Sequence, residues 1–185
     1  MFLRSFTRSL SLAGGLLLAA GCGGSGSSAV DYTDPNLIAA SDFESVIGWL
    51  PDPGTLTKEQ AHSGRYSIKV DPAHEFGMGF GLPLGKATIR KPRKIRLAAW
   101  GFMVDDKSAA RLGLQIMDPA TGKEIFGDGI NYNESIKNYG KWVEISKDIT
   151  IPETAASTHE LRVFLWRSGA TTPAYVDDLR ITLLE

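Results

Sequence analysis

The 185-residue chain has one cysteine, Cys22, and three histidines, His62, His74 and His159. A single cysteine excludes an internal disulfide framework and leaves no thiol nucleophile after residue 22. The histidines are scattered through turn-like contexts, which reads as surface placement, and no HExxH, GxSxG or GxxxxGK[ST] string occurs. The alternating glycines of GMGFG, 77–81, read as a turn or a close-packed strand, because no helix follows them. An excess of one charge is also missing. Twenty basic residues against 21 acidic give a net charge of −1, with no electrostatic footprint for nucleic acid and no polybasic-membrane signature. Nor does any long stretch hold a 3.6-residue apolar period, and no apolar run is long enough to span a bilayer as a helix.

What is present begins with a targeting segment, residues 1–21. Arg4 and Arg8 form a basic start, and Leu10 to Ala20 a short apolar run. The run ends in LLAAGC, which resembles a bacterial lipobox and implies lipidation of Cys22 after cleavage at Gly21. Residues 22–35 are rich in Gly and Ser and read as a flexible tether. One domain, residues 36–185, is long enough to bury a substantial core.

That domain reads as all-β. Side chains alternate faces along a strand, and four runs alternate clearly. RYSIKV sets Tyr66, Ile68 and Val70 together, and ARLGLQIM sets Leu112, Leu114 and Ile116 against Arg111, Gly113 and Gln115. KWVEISKDITI aligns Val143, Ile145, Ile149 and Ile151; ELRVFLW aligns Leu161, Val163 and Leu165 against Arg162, Phe164 and Trp166. Turn signals at 51–54, 104–109, 118–123 and 167–173 separate the runs. The pattern predicts a two-sheet antiparallel β-sandwich. In the last run, AYVDDLRITLLE, strict alternation puts Asp177 on an apolar face with Tyr175, Leu179 and Ile181, and Asp178 on the other face as a solvated acid. RLAAWGFMV is apolar on both faces, so its outer face must be covered or used.

In order along the chain, DFESVIGW, AHSGRYSIKV, RLAAWGFMV, KWVEISKDITIP and AYVDDLRI resemble the carbohydrate-binding modules of families 4, 9 and 22, which are jelly rolls of the galactose-binding-domain type. The resemblance covers about residues 36–185. It implies a structural calcium ion joining the two ends of the domain, with Glu44 and Asp177 as side-chain ligands and Arg65 as a carbonyl ligand. The oxygen chemistry suits calcium. It also implies a sugar platform on the concave face of one sheet, where rings stack on sugar C–H faces and polar groups meet hydroxyls. The outward positions are Trp100, Phe102, Gln115, Arg162, Phe164 and Trp166. Trp49 and Trp142 match framework positions and read as packing.

The function so implied is non-catalytic binding of a glycan or polysaccharide by a lipoprotein of the bacterial cell envelope, anchored through Cys22, with the outer membrane as the expected site. A protein-interaction or adhesion subunit on the same fold is the alternative. A lyase or hydrolase ranks last, because no histidine and no pair of facing carboxylates falls on the expected cleft strands.

Overall fold

The computed structural model describes residues 33–45, 53–77, 79–88 and 90–185. The targeting segment 1–21, Cys22, Trp49 and the tether up to residue 32 therefore lie outside the described residues. Ten strands form: β1 (Leu37–Ser41), β2 (Leu56–Thr57), β3 (Ser67–Val70), β4 (Phe80–Pro83), β5 (Lys94–Met103), β6 (Arg111–Asp118), β7 (Lys123–Asn131), β8 (Trp142–Thr150), β9 (Glu160–Trp166) and β10 (Ala174–Leu183). Among the described residues two single-turn α-helices, α1 (Leu84–Ala87) and α2 (Tyr132–Ser135), and a 3-10 turn at Pro53–Thr55 interrupt them.

The strands make two antiparallel sheets, as the alternation predicted. The six-stranded sheet runs β2-β3-β10-β5-β8, with β1 also on β10; the four-stranded sheet runs β4-β9-β6-β7. β10 pairs with β5 over most of its length. Its other edge is shared in tandem, β3 taking Ala174–Val176 and β1 taking Leu179–Thr182. The core between the sheets uses the apolar faces read from sequence: Ile68 and Val70, Leu97 and Ala99, Leu112, Leu114 and Ile116, Ile145 and Ile149, and Leu161, Val163 and Leu165. A fully buried side chain of this size contributes about 1.5–3 kcal/mol.

The last strand departs from strict alternation. Asp177 pairs with Trp100 and Arg180 with Ala98, so β10 holds one residue more than β5 across this step. The bulge is made by Asp178 at φ 47°, a left-handed conformation that Asp tolerates better than most residues. An inserted residue reverses the parity of everything after it. Ala174 and Val176 face the core before the bulge, and Leu179 and Ile181 after it. Asp177 is thus not on the core face with Leu179 and Ile181. It stands with Tyr175, Phe102 and Trp100 on the outer face of the six-stranded sheet.

Candidate functional site

The six positions expected to form one platform divide between two faces. Trp100 and Phe102 stand on β5 of the six-stranded sheet, whereas Gln115, Arg162, Phe164 and Trp166 stand on β6 and β9 of the four-stranded one. The core separates them, so the first two cannot serve the ligand of the other four. Sequence alternation gave both sets as outward, but it does not say on which side of the sandwich.

The outer face of the six-stranded sheet is closed. His62, read from sequence as a surface residue, stacks on Trp100 with ring centroids 3.8 Å apart and meets Trp142 edge-on at 5.9 Å. Phe102 is only 6 % exposed and packs against Trp142 at 5.4 Å and Tyr175 at 5.7 Å. Trp142 is a packing residue, as expected. Trp100 and Phe102 therefore belong to a second small core, which the segment carrying His62 covers.

Two acids hold that segment down. Asp177 has no exposed surface; its Oδ2 accepts the N–H groups of His62 (2.8 Å) and Ser63 (3.2 Å), and its Oδ1 that of Asp178 (2.8 Å). Burial pushes its pKa up to about 6, with the three N–H groups pulling the other way. Asp178 is not the solvated acid expected. It is 8 % exposed, accepts the Ser63 hydroxyl at 2.7 Å, and lies 2.5 Å from His62 Nδ1.

Glu44 reaches the same segment from the other end of the chain. Its Oε1 accepts the N–H groups of Arg65 (2.6 Å) and Tyr66 (2.7 Å). The three positions expected to bind calcium thus meet on residues 62–66. Carboxylates and a carbonyl are the hard oxygen donors that calcium takes, so the donor set fits in kind. Among the described residues no group of three or more His, Cys, Asp and Glu gathers, so further carbonyls or waters would have to complete a calcium shell.

Among the described residues, no segment roofs the outer face of the four-stranded sheet. Strand register arranges its outward residues in rows across the strands. One row holds Pro83, Glu160 and Met117, with Glu124 alongside. The next is Gly81, Arg162, Gln115 and Gly127. The third is Phe164, Gly113 and Gly129, with Gly79 beside Phe164. The fourth is Trp166, Arg111 and Asn131, with Phe76 bridged to Trp166. The third row has one side chain, a ring that lies across Gly113. A methyl group on Gly113 would stand 2.7 Å from the ring's Cζ, so only glycine leaves room for the ring in this position.

This row is the floor of a trough at right angles to the strands. At strand spacings it is roughly 13 Å between walls and roughly 14 Å long. A depression of about 270 Å³, lined in part by Gly79, Gly81, Arg162 and Phe164, opens at its β4 end. Phe76, 57 % exposed, stands edge-on to Phe164 at 6.0 Å and extends the apolar surface.

The walls are polar and fixed. Arg162 donates to Glu160 Oε2 from Nε (3.0 Å) and Nη2 (2.7 Å), and Gln115 Nε2 to Glu124 Oε2 (2.5 Å). The Trp166 indole donates to Glu75 Oε1 at 2.7 Å, and Arg167 to the other oxygen at 2.9 Å. Arg167 first, and then the indole, hold the Glu75 carboxyl below the usual carboxylate range. Sequence reading missed Phe76, Glu124, Glu160 and the glycine floor. The glycines lower the strand propensity of β4 and β7, although the alternate spacing of Gly127 and Gly129 was a usable signal.

The profile of a family described as a carbohydrate binding domain matches residues 35–173, and the chain belongs to that family. No curated protein sequence matches the chain. Among solved structures it is similar to a family 16 carbohydrate binding module-2, at 19 % identity and a TM-score of 0.52, covering 80 % of this chain and 99 % of that one. It is also similar to the CBM22-2 xylan-binding domain from Paenibacillus barcinonensis Xyn10C, at 19 % identity and a TM-score of 0.51, again covering 80 % and 99 %. At such identities the likeness establishes the jelly-roll β-sandwich fold.

Proposed function

We propose that this member of the carbohydrate binding domain family is a non-catalytic module that holds a polysaccharide across the four-stranded sheet. The observation that carries this reading is the glycine-floored trough with the Phe164 ring packed over Gly113. A flat ring takes the C–H face of a sugar. Arg162, Gln115, Glu160 and Glu124 then offer donors and acceptors to hydroxyls from one wall, and Arg111 and Asn131 from the other. A neutral β-linked chain such as xylan is the first ligand to try, given the xylan-binding relative of similar fold.

Glu160 and Glu124 are carboxylates on the cleft wall, but each is already engaged by a side chain next to it, Arg162 or Gln115. Neither is matched to a partner acid for general acid–base work. Titration of the full chain with a glycan panel, alongside a product assay, tests the reading. Binding is expected without product, and it is expected to be lost together in Arg162→Ala/Trp166→Ala. Binding that survives this double substitution would refute the site.

Two further elements complete the proposal. A calcium ion between Asp177, Glu44 and the Arg65 carbonyl would tie residues 62–66 to both ends of the domain; the convergence of both acids on that segment supports it. Lipidation at Cys22 would anchor the module in the cell envelope, most naturally at the outer membrane, with residues 22–35 as the tether. Mass spectrometry of the exported protein checks the lipid.

A further inference from the structure

We propose that the end of the sandwich from which the N-terminal residues leave is a docking surface for a phosphate-bearing lipid bilayer. The inference is independent of the glycan reading and uses residues outside the trough.

Residues 86–96, KATIRKPRKIR, carry six cations in eleven positions: Lys86, Arg90, Lys91, Arg93, Lys94 and Arg96. Lys94 and Arg96 are engaged by Asp148 at 3.7 and 2.6 Å. Lys86, Arg90, Lys91 and Arg93 are exposed and make no ion pair among the described residues. Besides Asp148, Glu153 and Glu185 meet this segment through main-chain carbonyls. Glu153 O accepts from Lys91 Nζ, and Glu185 O from the Arg93 N–H at 2.7 Å.

Both ends of the domain converge here. Leu183 N–H donates to Asn36 O at 2.7 Å, beside the strand end that carries Lys94. The 32 residues ahead of Thr33, with their apolar run Leu10–Ala20, therefore join the domain at its most cationic edge. The same end holds a cavity of about 430 Å³ between α1 and the 151–157 loop. Leu84, Ile151 and Ala155 form its apolar floor, and Thr88, Arg90 and Lys91 its polar rim. An apolar floor under a hydroxyl and two cations suits a lipid phosphate and the glycerol below it. Lys and Arg act on an anionic surface only within a Debye length, about 10 Å in dilute salt, and the lipidation of Cys22 proposed above would hold them in that range. Docked by this end, the strands stand upright, and the trough that crosses them lies parallel to the membrane.

The test is amide hydrogen exchange of the full chain on vesicles of mixed phosphatidylglycerol and phosphatidylcholine, compared with phosphatidylcholine alone. Exchange in 84–93 and 151–157 is expected to slow about threefold or more on the anionic vesicles only, and to recover in about 0.5 M salt, which shortens the screening length. Residues 104–109 and 137–141, at the far end, should not respond. The Arg90→Glu/Lys91→Glu/Arg93→Glu chain should lose the protection while keeping its circular dichroism and its glycan binding. Should that triple variant unfold, Lys86→Glu/Arg90→Glu replaces it. Equal exchange on both vesicles, protection that survives charge reversal, or protection by free inorganic phosphate with none on vesicles would overturn the proposal.

Discussion

The two outer faces of this sandwich start from similar material and end differently. Each carries aromatic side chains on outward positions of its central strands. On the six-stranded sheet Trp100, Phe102, Trp142 and Tyr175 are roofed by His62, and three carboxylates (Glu44, Asp177 and Asp178) fasten the roof through N–H and side-chain bonds. On the four-stranded sheet Phe164 lies over Gly113 with Phe76 edge-on beside it, and no segment among the described residues roofs it. Aromatic content therefore does not distinguish a binding face from a packed one. The residues around the rings do: acids that clamp a neighbouring segment on one face, and an absence of side chains on the other.

This contrast can be broken, beginning with the larger effect. Asp177→Ala leaves one buried and two half-buried N–H groups without an acceptor, and a buried group so left costs about 1–3 kcal/mol. Unfolding in urea should show a loss of about 3 kcal/mol or more, while any chain still folded binds glycan as before. Phe164→Ala should do the reverse. Its Kd for glycan, by calorimetry, is expected to weaken about tenfold or more, worth roughly 1.4 kcal/mol, with a far smaller change in stability. Trp100→Ala gives the matched control on the closed face, destabilising without altering affinity.

Calcium and pH sharpen the closed face further. If the ion binds, removing it with chelator should lower Tm by about 5–10 °C. In chelator, the raised pKa of Asp177 means that the native state holds this proton more tightly than the unfolded chain does. Its contribution to stability is then full below about pH 4 and lost as pH rises through about 6. Bound calcium requires the carboxylate and should reverse that slope; a slope and Tm indifferent to calcium would remove the ion from the account. The smallest effect belongs to Glu75→Gln. It loosens the Trp166 indole and should weaken glycan binding only about twofold, a few tenths of a kcal/mol.

Much of the fold was legible because alternation is a local property. Leu112, Leu114 and Ile116, or Leu161, Val163 and Leu165, declare their inner face within six residues. The Asp177 placement failed for a reason that alternation cannot express: one left-handed residue, Asp178, shifts the frame, and nothing in VDDL announces it. The candidate site was legible on β9, where Arg162, Phe164 and Trp166 share a face. It was not legible across strands, because Trp100 and Phe102 read as outward without saying from which sheet. The floor was the hardest part, since Gly113, Gly127 and Gly129 act by having no side chain, which sequence reading scores as weak strand.

The bare floor also bears on how such a module changes over generations. A new side chain at Gly81 or Gly127 would meet chiefly the carboxyl end of Glu160 or Glu124, which would have to leave its bond to Arg162 or Gln115. At Gly113 it would strike the Phe164 ring. The trough thus offers two positions where a single substitution can narrow or partition the groove while the inward residues that hold the sheets together stay as they are. Ligand preference can drift at these positions without endangering the scaffold, and Gly113 is the pivot that must be kept for any flat-ring recognition to persist.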